Sequence, residues 1–180
     1  MTQSEHVTSQ ALLQDGKLAG AWTLDSSRTE IGLKSKSMWG MVSVKGVFRQ
    51  VTGNGTVSAA GEVAGVITVA AGSIDTKVKK RDEHLRSADL FDVDNHPHIT
   101  FAVKQVQPSG QGVTVTGDLT VRDTTRPLSF AARVSSTGEA EVALDGEVRV
   151  NRADFGLTWN QLGMASMDNA ITVHAVFTRQ

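Results

Sequence analysis

The chain has 180 residues, enough for one domain with a sizeable core, and all-β barrels of this length stay whole. Its 18 Lys+Arg against 19 Asp+Glu leave a net charge of −1, which excludes a broad cationic surface for nucleic acid or an anionic bilayer. The absence of cysteine excludes a disulfide framework, a thiolate nucleophile and a thiolate metal site.

Residues 1–20 read as an N-terminal extension and 21–180 as the domain. Ser9 is placed to cap a short helix near residues 10–15, which Asp15-Gly16 would end. Leu12, Leu13 and Leu18 would give that segment a small apolar face. It lacks a basic stretch followed by an apolar one, so no secretory signal is read and a cytoplasmic location is expected. No apolar run reaches the roughly 20 residues that span a bilayer, so no stable membrane insertion is expected.

From Ala21 onward apolar and polar residues alternate with the period of half-buried strands. Trp22-Thr23-Leu24 comes first, then Ile31 and Leu33, then Val42, Val44 and Phe48. Ile67 and Val69 follow, then Ile99, Phe101 and Val103, then Val113, Val115, Leu119 and Val121. The last runs are Leu128, Phe130, Ala132 and Val134; Val142, Leu144, Val148 and Val150; and Ile171, Val173, Ala175 and Phe177. Turns are expected at Thr52-Gly53-Asn54-Gly55, Ala60-Gly61, Pro108-Ser109-Gly110, Asp123-Thr124-Thr125-Arg126 and Ser136-Thr137-Gly138. Short connections imply antiparallel neighbours in a sandwich or a closed barrel. Glycines inside the strands, at Gly32, Gly46, Gly65, Gly117 and Gly146, favour a sheet that curves.

One helix interrupts the strands, near residues 79–88, where Lys79-Lys80-Arg81-Asp82-Glu83-His84-Leu85-Arg86 supplies good helix formers. Pro97 then holds His96 extended and leads into the Ile99 strand. The inward candidates are mostly Val, Ile and Ala, medium-sized side chains that fill a barrel axis poorly and leave room for an apolar guest. A collapsed sandwich of the same residues remains the alternative. Val115 lies in phase with Val113 and Leu119, and Gly117 removes a side chain from that face, so a locally hollow wall is expected there.

Sites for chemistry are few. His96 and His98 flank a proline and have no ordered carboxylate partner, so with His84 and His174 they are read as turn and surface residues and no metal is expected. Asp89, Asp92 and Asp94 lack the glycine and distal glutamate of a calcium loop. Ser73 and Ser87 sit in no nucleophile elbow and have no histidine at a telling spacing. Lys77, Lys79, Lys80 and Arg81 are partly neutralised by Asp82 and Glu83 and read as a solvated helix face. Basic stripes interleaved with exposed aromatics are missing, so no nucleic-acid partner is expected. The glycine-punctuated stretch from Phe155 to Met167 is too irregular for a strand and reads as a lid, rim or plug at the barrel mouth. Met38, Trp39 and Met41 form a similar group that would face it.

Six motifs occur in order: Trp22-Thr23-Leu24-Asp25, Lys45-Gly46-Val47-Phe48, Ser73-Ile74-Asp75-Thr76 with the 87–101 stretch, the run from Gly117 to Leu128, Arg152-Ala153-Asp154-Phe155-Gly156, and Asp168-Asn169-Ala170-Ile171-Thr172-Val173. Over residues 21–178 the chain resembles the YceI-like, polyisoprenoid-binding family. The resemblance implies a single antiparallel up-and-down β-barrel, lipocalin-like, of about eight strands. It also implies binding, without chemical change, of a long-chain apolar lipid: a polyisoprenoid, an isoprenoid quinone or a fatty-acid-like molecule. The expected role is to sequester or carry that lipid, with no cofactor and no catalysis. A packed-core scaffold or stress-response partner is the second reading and a lipid-ester hydrolase the third, and a homodimer is left open.

The candidate lining comprises Leu33, Trp39, Val42, Val44, Phe48, Phe91, Ile99, Phe101, Val103, Val115, Leu119 and Phe130. It continues with Phe155, Trp159, Leu162, Met164, Met167, Ile171 and Val173. Members of the family often carry histidines near the pocket mouth, where this chain has Arg28-Thr29 and Ser37. Arg28, Lys36 and Ser37 are therefore the candidate head-group contacts, shifted toward anionic or carbonyl-bearing groups.

Overall fold

A computed structural model describes residues 16–136, 138 and 140–180, so the helix expected near residues 10–15 lies outside the described residues. Among the described residues eleven strands run in chain order: β1 (Gly20–Leu24), β2 (Glu30–Ser37), β3 (Val42–Phe48), β4 (Val51–Val57), β5 (Val63–Ala70) and β6 (Ile74–Asp75). After helix α1 (Lys79–Arg86) come β7 (His98–Ser109), β8 (Gly112–Val121), β9 (Thr124–Ser136), β10 (Glu141–Asn151) and β11 (Asp168–Arg179). Short 3-10 segments lie at Met38–Gly40, Ala71–Ser73 and Arg152–Phe155.

Eight of these strands form a closed antiparallel ring in the order β1, β4, β5, β7, β8, β9, β10, β11, with β11 pairing back to β1. β11 serves two partners: Phe177–Arg179 pair with β1, while Ala170–His174 pair with β2, which carries β3 and β6 beyond the ring. Closure satisfies the edges that an open sheet would expose.

Two expected turns are strand instead. Thr52, Gly53, Asn54 and Gly55 lie within β4, paired to Thr68, Ile67, Val66 and Gly65. None of the four has a positive φ, so the Asn-Gly pair is not used as a hairpin turn. The glycines answer to crowding: a Cβ on Gly55 would stand 2.8 Å from the Ala64 carbonyl oxygen and 3.3 Å from the Gly65 Cα. Thr124, Thr125 and Arg126 open β9, and the turn is only Arg122-Asp123, with Arg122 at φ 56°. Thr120 and Thr125 join their hydroxyls across the pair at 2.8 Å, a cross-strand contact suited to β-branched residues.

The ladder between β7 and β8 slips between Val103 and Gln105. Such a bulge spends an extra residue and reverses the phase of the strand. Ile99, Phe101 and Val103 face inward before it, and Val106 faces inward after it. Lys104 is outside, where its ammonium meets Asp118 at 2.7 Å. The space beside Gly117 is not hollow, because a Cβ there would lie 2.8 Å from Cζ of Phe101. Gly117 makes room first for the Ala102 carbonyl of the paired strand and then for that ring, which packs against Phe130 with centroids 6.0 Å apart.

α1 is held to the barrel by a polar clasp. Asp82, 7% exposed, accepts hydrogen bonds from the Thr76 backbone N–H at 2.9 Å and hydroxyl at 2.6 Å. After the helix, Leu90 and Phe91 turn inward, and Phe91 meets Phe48 edge-on at 6.0 Å.

Candidate functional site

The inward faces enclose an elongated cavity of about 470 Å³. At one end Leu18 and Trp22 are buried against Val57, Val134, Val142 and Phe177. The Trp22 indole N–H donates to the Leu18 carbonyl at 2.8 Å, and the Arg179 guanidinium lies 4.7 Å above the ring. A tryptophan with its one polar atom satisfied closes that end without an orphaned donor.

The middle is apolar on every side. Ile31 and Leu33 from β2, Ile99, Phe101 and Val103 from β7, and Val115 and Leu119 from β8 line it. Phe130 from β9, Leu144 and Val148 from β10, and Ile171 and Val173 from β11 complete the circle.

At the opposite end Val44, Phe48, Phe91, Phe155 and Leu157 narrow the cavity, and polar groups appear: Lys36, Ser37, Thr76, Arg81, His84, Arg152, Ser166 and Asn169. Arg152 organises this end. Its Nε donates to the Ser166 carbonyl at 3.0 Å, and its Nη1 donates to the carbonyls of Leu157 and Trp159 at 2.8 and 2.7 Å. The loop that closes over the barrel is thereby pinned to the start of the Arg152–Phe155 segment. Its Nη2 is buried without a hydrogen-bond partner, and burial lowers the pKa of the guanidinium from its ordinary value. Trp159 lies edge-on against the His84 ring at 4.1 Å, joining the loop to α1.

The candidate lining residues therefore divide. Leu33, Val44, Phe48, Phe91, Ile99, Phe101, Val103, Val115, Leu119, Phe130, Phe155, Trp159, Ile171 and Val173 border the cavity, as do Lys36 and Ser37. Trp39, Val42, Leu162, Met164, Met167 and Arg28 do not. Trp39 is 62% exposed and Leu162 is 77% exposed, and both hold left-handed backbone at φ 55°. Val42 is exposed as well. Met164 and Met167 instead lend their carbonyls, to the Trp39 N–H at 3.1 Å and the Arg152 N–H at 2.9 Å. The turn at residues 38–41 and the loop after Phe155 thus meet outside the cavity. Arg28 is occupied on the barrel exterior, donating to Asp25 and Glu141 at 2.8 Å each.

Several lining residues escaped the reading of the sequence. Val113, Val121, Leu144, Val148 and Phe177 carry the same alternation and could have been included. Val106 could not, because the bulge reverses its phase. Arg152 stood inside a recognised motif without a role, and nothing local marks its guanidinium as turned inward. Three of the histidines have ordinary partners: His84 with Asp89 at 3.0 Å, His96 with Asp92 at 3.9 Å and His174 with Asp145 at 2.5 Å. Among the described residues no His, Asp and Glu side chains converge as a metal-holding group. No helix among them is long and apolar enough to cross a membrane.

Comparison with known proteins agrees with this architecture. A UPF0312 protein of Pectobacterium atrosepticum is 31% identical over 119 residues, covering 63% of this chain and 62% of that protein. The chain thus matches less than two thirds of that relative's length. A UPF0312 protein of Ectopseudomonas mendocina is 30% identical over 169 residues, covering 89% of this chain and 88% of its own. Among solved structures, Burkholderia cenocepacia BcnA is similar with a TM-score of 0.77 at 22% identity, covering 85% of this chain and 98% of that one. A polyisoprenoid binding domain from Saccharophagus degradans, described as implicated in plant cell wall breakdown, gives 0.72 at 15% identity, covering 88% and 98%. These likenesses establish the fold. The family profile described as the YceI-like domain matches residues 22–178, nearly the whole chain, so the protein belongs to the YceI-like family.

Proposed function

We propose that the protein binds one long-chain apolar lipid in the barrel interior and sequesters or carries it without chemical change. The lipid classes that suit the site are a polyisoprenoid, an isoprenoid quinone or a fatty-acid-like tail. The observation that carries this reading is the cavity of about 470 Å³, lined mainly by apolar side chains between Trp22 and Phe48. That size falls among ligand sites of roughly 300–1,000 Å³. Enclosing a tail of about 500 Å² would contribute roughly 12 kcal/mol gross, from which ordering and association subtract a large part.

The likeness to a polyisoprenoid binding domain from Saccharophagus degradans supports the same class of ligand. The two serines weighed as nucleophiles have structural partners. Ser73 Oγ donates to the Ala70 carbonyl at 2.6 Å, and Ser87 Oγ donates to the His84 carbonyl at 2.6 Å. Both hydroxyls donate to backbone carbonyls and not to an imidazole or carboxylate, which favours binding over ester hydrolysis.

Solvent extraction of protein purified without detergent, followed by mass spectrometry, should recover a long-chain lipid. Added hexadecanoate, a short isoprenoid quinone or a prenyl alcohol should raise the melting temperature of delipidated protein. Protein that is empty and unmoved by every member of the panel would return the packed-core scaffold as the better reading.

A further inference from the structure

The exposed apolar side chains are spread unevenly over the molecule. Of the eight large ones exposed among the described residues, six fall in two segments: Met38, Trp39, Met41 and Val42 at the tip of the β2–β3 hairpin, and Trp159 and Leu162 in the loop after Phe155. Two backbone hydrogen bonds join the segments into one surface, from the Trp39 N–H to the Met164 carbonyl at 3.1 Å and from the Ser166 N–H to the Lys36 carbonyl at 2.9 Å. Ser37, Trp159, Ala165 and Ser166 border the cavity from these same segments, so the surface is the outer side of the cavity's loop end.

Holding these side chains outward is costly. Met38, Trp39 and Leu162 have φ of 52°, 55° and 55°, a left-handed backbone that bulky residues rarely adopt. The strain gains no burial, since all three side chains are exposed. A contiguous exposed apolar surface marks an interaction site.

Charge identifies the partner. From Ile31 to Phe48 the chain carries Lys34, Lys36 and Lys45 and no acidic residue, and from Gly156 to Met167 it carries no charge at all. Lys34 and Lys45 stand opposite each other in the β2–β3 register, and Lys36 follows on the same face, two residues nearer the tip. Lys34 meets Glu147 at 3.6 Å, whereas Lys36 and Lys45 form no ion pair among the described residues. A second copy of the same surface would bring like charges together. An apolar surface of Trp, Met and Leu edged by lysine instead suits the headgroup layer of an anionic bilayer. With a net charge of −1 on the whole chain, the attraction is confined to this tip.

We propose that the hairpin tip and the loop dock reversibly on the surface of an anionic lipid bilayer, with Trp39, Met41 and Leu162 entering the headgroup layer and Lys36 and Lys45 meeting its phosphates. Docking sets the loop end of the cavity against the source of a water-insoluble lipid. That use rests on the lipid-binding reading, whereas the docking itself does not.

The test is co-sedimentation of the full chain with vesicles of phosphatidylcholine alone and of phosphatidylcholine with about one third phosphatidylglycerol. Wild-type protein should partition at least about tenfold more strongly onto the anionic vesicles, and high salt should remove the difference. Lys45→Gln should weaken anionic binding about fivefold, the contribution of one lysine near such a surface. Trp39→Asn and Leu162→Asn, which put a residue tolerant of left-handed backbone at each site, should each weaken it at least about threefold without lowering the melting temperature. None of the three residues borders the cavity, so hexadecanoate affinity measured without vesicles should stay within about threefold. Binding that is absent, equal on both kinds of vesicle, or unchanged in all three variants overturns the docking surface. Dimers that Trp39→Asn disperses, with no vesicle binding, would assign the surface to a second copy and overturn it as well. Hexadecanoate binding that survives either result keeps the lipid-binding reading. Vesicle docking by a protein that takes up no member of the lipid panel keeps the docking and removes that reading.

Discussion

At one end of the cavity Trp22 and Leu18 are buried and their polar atoms are satisfied within the chain, whereas at the other Arg152 keeps a buried donor without a partner. The ends use the same kinds of strand and differ in what stands at their termini. A tryptophan that finds a carbonyl four residues away can be a stopper. An arginine that gathers three carbonyls of one loop acts as a clasp that holds the loop over the barrel. The difference teaches that a barrel of uniform lining acquires a direction from a few side chains at its ends.

The largest effect is expected at the stopper. Trp22→Ala would remove a 5% exposed indole, its bond to Leu18 and its contact with Arg179, and should destabilise the fold by about 3–5 kcal/mol in urea unfolding. A loss below about 1 kcal/mol would show that this end is not closed by packing, and the two ends would then be alike.

The middle should respond in between. Val115 is 3% exposed and borders the cavity beside Phe101 and Phe130. Val115→Trp should lower lipid affinity at least tenfold by taking up tail space, with a stability cost below the roughly 1–3 kcal/mol of an overfilled core. A greater cost, measured on delipidated protein, would mean that the centre is packed and only the loop end is open.

The smallest effect concerns the exterior, where charge serves turns. Asp25 is held below its ordinary pKa first by the Ser27 hydroxyl and then by Arg28, and Asp75 first by the Lys77 backbone N–H and then by Arg49. A carboxylate lowered in the folded state contributes stability above its unfolded pKa and loses it as pH falls through the folded value. Melting temperature followed from about pH 5 down to pH 2 should therefore drop slightly less steeply in Asp25→Asn than in wild-type protein. An identical acid limb would mean that the Asp25–Arg28–Glu141 cluster contributes nothing beyond its solvated charges, as exposed pairs often do.

Alternation by itself determined most of the wall. Leu33, Phe101, Val115, Leu119, Ile171 and Val173 were legible as inward because a strand has no other way to place every second residue, and the helix at Lys79–Arg86 followed from its run of helix formers. The ordered motifs added the family, which closes the sheet into a ring where alternation alone allowed a sandwich. Tertiary structure decided what depends on a neighbour remote in sequence. Asn54-Gly55 became strand because Ala64 and Gly65 press against it, and Val106 turned inward because β8 sets the register across a bulge. Trp39 and Leu162 went outward because their loops meet outside the cavity, and Arg28 was claimed by Glu141, which is 113 residues away in the chain. The free donor of Arg152 is the plainest case. A sequence shows a guanidinium's five N–H groups, but only the folded loop shows which carbonyls arrive to meet them and which N–H groups are left over.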